Sequence, residues 1–160
     1  MRNATVLIAF IALGMARGAV PGVPCAPSRP QLFPCVMTRY STPLKLGWVL
    51  GVVRYQNANR NFQHGPFVQL EPGFGGGKVN LGYRYSRSGF LPVFNVGLSA
   101  SLLQTWGNPL GDVEPGQTFT GIELSTAFSV LGFNAGIFRH VAGDDSDHDW
   151  ITTLGVGAGF

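Results

Sequence analysis

The feature that most limits how this chain can fold is a two-residue alternation of apolar and small residues that recurs in seven segments. In KVNLGYRYS, residues 78 to 86, Val79, Leu81, Tyr83 and Tyr85 alternate with Lys78, Asn80, Gly82, Arg84 and Ser86. Residues 92 to 103 set Phe94, Val96, Leu98, Ala100 and Leu102 against Asn95, Gly97, Ser99 and Ser101, and residues 118 to 130 repeat the pattern from Thr118 to Val130. Segments at 44 to 54, 66 to 74, 132 to 141 and 149 to 160 add four more, the second and third less sharply. Successive side chains of a β-strand point to opposite faces, so a period of two predicts strands, and no stretch carries a helical apolar period of useful length. Each segment is near the roughly 9 to 11 residues that a tilted strand needs to cross a bilayer.

Alternation by itself does not say whether the apolar face meets a core or lipid. The opposite face decides, because in a soluble sheet it meets water and is rich in charge. Here it is Gly, Ser, Asn and Ala with isolated charges at Glu71, Lys78, Arg84 and Glu123, in a chain only 12% charged and containing 23 glycines. That set suits the crowded interior of a narrow barrel, where Glu71, Lys78, Arg84 and Glu123 are expected to form a charge network. A soluble, lipocalin-like periplasmic barrel that binds a small apolar ligand is the alternative, and it requires a charged outer face. Aromatics at or near strand ends, Tyr55, Tyr83, Tyr85, Trp106, Trp150 and Phe160, fit an interfacial girdle, whereas Trp48 falls in mid-strand.

The last segment, WITTLGVGAGF, places Trp150, Leu154, Val156 and Phe160 on one face with Gly155, Gly157 and Gly159 on the other. This ladder resembles the terminal strand of small bacterial outer-membrane β-barrels, with Ala158 departing from the aromatic often found at that place. The resemblance implies an all-β, antiparallel up-and-down transmembrane barrel of eight strands, in the outer membrane of a Gram-negative bacterium. It also implies an assembly signal in Trp150, Leu154, Val156 and Phe160 that is recognised by the barrel-assembly machinery. Its remaining implied partners are outer-membrane lipid and lipopolysaccharide around a monomer.

The N-terminus agrees with export. Arg2 precedes the apolar run ATVLIAFIALGMA, which has the layout of a signal peptide over residues 1 to 18 with cleavage near 18/19; a retained anchor is the other reading. Residues 19 to 31 form a Pro-rich lead-in, and residues 32 to 160 the barrel domain. Loss of Arg2 and Arg17 with the leader lowers the 11 basic residues to 9 against 8 acidic ones, which supports no nucleic-acid partner. Cys25 and Cys35 are the only two cysteines and are either a disulfide, which an exported chain permits, or two independent thiols. Pro24 before Cys25 disfavours a lipoprotein, and no zinc spacing is present.

Seven strands do not close a bacterial barrel, which has an even number. With Phe160 at the periplasmic rim, as the resemblance implies, the missing strand is LFPCVMTRY, residues 32 to 40, followed by an outer turn at 41 to 43. Extracellular loops then comprise that turn and those around 72 to 77, 106 to 117 and 142 to 149. The last two hold Asp112, Glu114, Asp144, Asp145, Asp147 and Asp149, six of the eight acidic residues. The turn at 56 to 65 is long for the periplasmic side.

Candidate chemistry is sparse. Asp145, Asp147 and Asp149 alternate in a possible divalent-ion loop, but Trp150 and Val156 stand where a calcium loop needs Gly and Glu, so a solvated acidic loop is the plainer reading. The stretch EPGFGGG shares only glycine with a phosphate loop. His140 invites comparison with outer-membrane lipid A deacylases, similar in size, which carry a serine two positions after a histidine. Here Val141 and Ala142 follow, and acyl transfer needs a nucleophile. Ser146 and His148 lie on the acidic loop without an orienting scaffold. A non-enzymatic protein without cofactor or metal is expected, acting through its loops, with a lipid-modifying enzyme as the rival.

Overall fold

The computed structural model describes residues 30–59, 62–87, 94–111, 113–143 and 149–159. Among these no residue is helical. Eight strands, β1 (Gln31–Ser41), β2 (Lys45–Asn59), β3 (Phe62–Gly73), β4 (Gly76–Arg87), β5 (Phe94–Thr105), β6 (Thr118–Phe128), β7 (Leu131–Ala142) and β8 (Trp150–Gly159), follow one another in chain order around a closed barrel. Every neighbouring pair is antiparallel. The expected eighth strand is therefore β1, and it supplies closure by pairing Met37–Ser41 with Gly155–Gly159. That seam is short, whereas β1 pairs with β2 along its whole length.

The two-residue period sorts side chains as the alternation anticipates. Leu50, Val68, Leu70, Val79, Leu81, Leu98, Leu102, Ile122, Leu124, Ile137, Leu154 and Val156 all face outward, with Leu81 62% and Leu154 65% exposed. Gln69, Glu71, Lys78, Asn80, Ser99, Ser101, Glu123, Ser125 and Asn134 face inward and are buried. Around the middle of the barrel the aliphatic side chains thus lie outside and the polar ones inside.

Two expectations about boundaries change. The long turn at 56 to 65 is mostly strand: β2 and β3 continue as a hairpin through Gln56↔His64, Asn57↔Gln63 and Asn59↔Phe62, with a bulge between Asn57 and Asn59. Polar residues hid that extension because beyond the apolar belt neither face needs to be apolar. Trp48 is not in mid-strand either. Since β2 runs from Lys45 to Asn59, Trp48 lies near its loop end and its ring stands 6.3 Å from that of Phe74.

One end of the barrel carries the turns at 42–44 and 74–75, the 106–117 connection, the end of β7 and the start of β8; the other carries the turn at 129–130, the end of β2 and the end of β4. At the first end Leu44, Leu103, Phe119, Phe138 and Ile151 form a buried apolar layer across the lumen, with Val113 packed on it. The 106–117 connection folds over this layer. Its Leu110 N–H donates to Pro43 O at 2.9 Å, and Trp106 N–H to Gly75 O at 3.1 Å. Thr105 Oγ1 accepts from Gln117 N–H at 3.0 Å and donates to Glu114 O at 2.7 Å, which fastens both ends of the connection.

Glycine serves the inner face where strands curve tightly around a narrow lumen. A Cβ on Gly51 would lie 2.6 Å from Gln69 Cγ and 2.7 Å from Val68 O, and the backbone atom cannot swing away. Gly51→Val is expected to destabilise the barrel by about 1–3 kcal/mol, the usual cost of overpacking. Urea unfolding of the purified variant beside the parent chain measures this, and an unchanged midpoint would contradict the packing described.

Candidate functional site

The middle of the lumen holds the densest chemistry. Glu71 on β3 and Lys78 on β4 face each other in the hairpin register, so the turn at 74–75 places opposite charges side by side. Lys78 Nζ lies 3.2 Å from Glu71 Oε2 and 2.5 Å from Glu123 Oε2, which reaches in from β6. Arg39 on β1 closes the cluster from the other side: its Nη1 is 2.8 Å from Glu71 Oε2 and 3.7 Å from Glu123 Oε1. Ser41 Oγ donates to Glu71 Oε1 at 3.0 Å, and Asn134 Nδ2 donates to Glu123 Oε2 at 3.0 Å. Glu123 has room to span the lumen because its cross-strand neighbours are Ser99 and Gly136.

Of the four residues expected to form a network, Glu71, Lys78 and Glu123 meet here. Arg84 also points into the lumen, but it forms no ion pair among the described residues. It sits six residues along β4 from Lys78, a separation of about 20 Å at strand rise, which is beyond side-chain reach. Its guanidinium carbon lies 4.7 Å from the centre of the Phe67 ring, and its Nη1 is 3.9 Å from Cys35 Sγ. Arg39 takes the place of the second cation. The one signal that could have found it is parity counted back from the turn at 42–44: Ser41, Arg39, Met37 and Cys35 are the inward set.

The other candidates fall elsewhere. Cys35 is buried in the lumen, where Gln69 Nε2 is 3.6 Å from its sulfur, and Cys25 lies outside the described residues, as do Asp145, Ser146, Asp147, His148 and Phe160. Asp149 is exposed beside the start of β8, and its carbonyl accepts from His140 N–H at 2.9 Å. His140 is half-buried, with Nε2 2.8 Å from Gln117 Oε1 and its ring edge-on to Phe119. Its contacts are those of a side chain packed on the apolar layer. Trp150, Leu154 and Val156 project outward from β8.

Comparison of the chain with protein-family models, with characterised proteins and with solved structures finds no match. The geometry itself therefore carries the functional reading. Charges from β1, β3, β4 and β6, each beside an opposite charge, act as a pin that ties non-adjacent strands across the lumen.

Removing one member of such a cluster leaves another charge buried without compensation, which costs about 3–5 kcal/mol. Glu123→Leu is expected to lose that much in urea unfolding. The double variant Lys78→Met, Glu123→Leu should lose clearly less than the sum of its parts, since it removes charges of both signs. Additive losses in the double-mutant cycle would refute direct coupling.

Proposed function

We propose that the protein is an integral outer-membrane β-barrel of a Gram-negative envelope, non-enzymatic, with a filled lumen and a structural and surface-contact role borne by its acidic loops. The observation that carries this reading is the inversion of the two faces. A continuous belt of exposed Leu, Val and Ile encircles the barrel while Arg39, Glu71, Lys78, Arg84 and Glu123 are buried inside. Exposed apolar patches beyond a few hundred Å² mark lipid or partner surfaces in soluble chains, and a lipocalin-like barrel would carry the opposite distribution.

Further support comes from the two edges of the belt. Tyr40, Trp48, Phe74, Trp106 and Trp150 face outward near the loop end, and Phe62, Tyr83, Tyr85, Phe94 and Phe128 near the other. The Tyr and Trp rings among them, with an apolar body and a polar tip, suit the headgroup boundary on either side of a bilayer. The loop end, with six of the eight acidic residues on or beside the connections 106–117 and 143–149, is the extracellular one in this reading. There the carboxylates would meet divalent ions and lipopolysaccharide, and the chain would be inserted as a monomer by the assembly machinery after export.

Two measurements test it. The full chain expressed with its own N-terminus should fractionate with the outer membrane and show heat-modifiable gel mobility. Leu81→Arg, in the middle of the belt, should destabilise the protein folded in lipid vesicles by about 2–4 kcal/mol, the cost of an arginine facing lipid at the midplane. Recovery of folded protein from the periplasm without detergent, or a neutral Leu81→Arg, would sink the membrane reading.

A further inference from the structure

Beyond the ion cluster, toward the rim where β4 ends and β6 turns into β7, the lumen contains a cavity of about 50 Å³. Its wall includes Cys35, Arg39, Gln69, Arg84, Asn95 and Ser125. Arg84 is 7% exposed and Arg39 3%, so both guanidinium groups have left water.

Two guanidinium donors beside this space lack a partner among the described residues. Nε of Arg84 and Nε of Arg39 are buried without an acceptor among the described residues. Each guanidinium also turns an N–H toward sulfur, Arg84 Nη1 toward Cys35 Sγ at 3.9 Å and Arg39 Nη2 toward Met37 Sδ at 3.8 Å. Sulfur is a weak acceptor, and an unpaired cation is costly to bury. The face of Phe67 under Arg84 offsets part of that cost.

Charge points the same way. The buried charged residues are Arg39, Lys78 and Arg84 against Glu71 and Glu123, a surplus of one positive charge among the described residues, and Arg84 is the member without a carboxylate. One negative charge beside Arg84 would balance the lumen and accept from the idle donors.

We propose that this cavity is a binding site for a small monovalent anion of the chloride, bromide or nitrate class, held by Arg84 with Arg39 and the neutral donors of the wall. A single water needs on the order of 10–15 Å³ on a comparable measure, so the space has room for a monatomic or small planar anion. The site belongs to the lumen, and it does not depend on a membrane surrounding the barrel.

The test is equilibrium unfolding in urea of the purified, folded protein at constant sodium concentration, with gluconate replaced stepwise by chloride, bromide or nitrate. Binding to the folded state alone makes the unfolding constant fall about tenfold for each tenfold rise in anion above its Kd. That dependence should begin at a defined concentration, disappear in Arg84→Met and persist in Arg54→Met, whose side chain is exposed on the outer face. Should Arg84→Met fail to fold, bromide-soaked crystals of the parent protein decide the question by an anomalous peak beside Arg84. Unfolding curves that coincide in gluconate and chloride, a general salt effect retained by Arg84→Met, or a cavity occupied by water alone in bromide would each overturn the proposal.

Discussion

A sheet closed on eight strands encloses a lumen so narrow that side chains must fill it, and the rest of the structure follows from that crowding. Every inward residue meets others from across the barrel, so its volume and polarity are judged together with theirs. Where β1 meets β8, the inward positions of β8 are Gly155, Gly157 and Gly159, set against Ser41 and the Met37 side chain. The shortest pairing in the barrel is also where the inward residues of one strand are smallest. At the loop end larger inward residues take over, where Phe119 and Phe138 fill the space and the 106–117 connection covers them.

Crowding also explains why the lumen can contain charge. A buried ion pair is weak evidence for stability, because removing two ions from water can cost more than their attraction returns. What the cluster adds is register. A slip of β1, β4 or β6 by one residue would turn Arg39, Lys78 or Glu123 onto the apolar outer face and bring aliphatic side chains into the ion cluster. Alternative pairings are thereby penalised on both faces at once. The strands tied in this way, β1, β3, β4 and β6, are not all neighbours, so the penalty reaches registers that no single hairpin turn controls.

The parts of this arrangement visible in the chain were those written in a period of two. The segments at 78 to 86 and 92 to 103 separate so cleanly that the side facing the lumen could be read residue by residue. In β1 neither parity is purely apolar or polar, since Phe33, Cys35, Met37 and Arg39 share one face, and only the need for an even number points to the strand. Its alternation does not mark Arg39 as the partner of Glu71. The apolar layer at the loop end was hidden for a different reason. Leu103, Phe119, Phe138 and Ile151 occupy inward positions otherwise given to small and polar residues, and only the closed barrel shows that four strands bring them to one level. Parity puts Arg84 on the same face as Lys78 but says nothing of its height along the lumen, which keeps it out of the ion cluster.

Height along the lumen is what divides the interior into layers of different chemistry. An apolar layer under the loops keeps water from one end of the ion cluster, which strengthens the attraction among Arg39, Glu71, Lys78 and Glu123 by lowering the local dielectric. The same low dielectric raises the cost of leaving Arg84 uncompensated a few residues further down β4. A barrel that invests its carboxylates in one layer leaves the next with donors to spare, so balanced charge at the centre and surplus charge toward the far rim are two results of one distribution. Among the described residues the inward face contributes two carboxylates to three cations, and both lie within reach of Lys78, beyond that of Arg84.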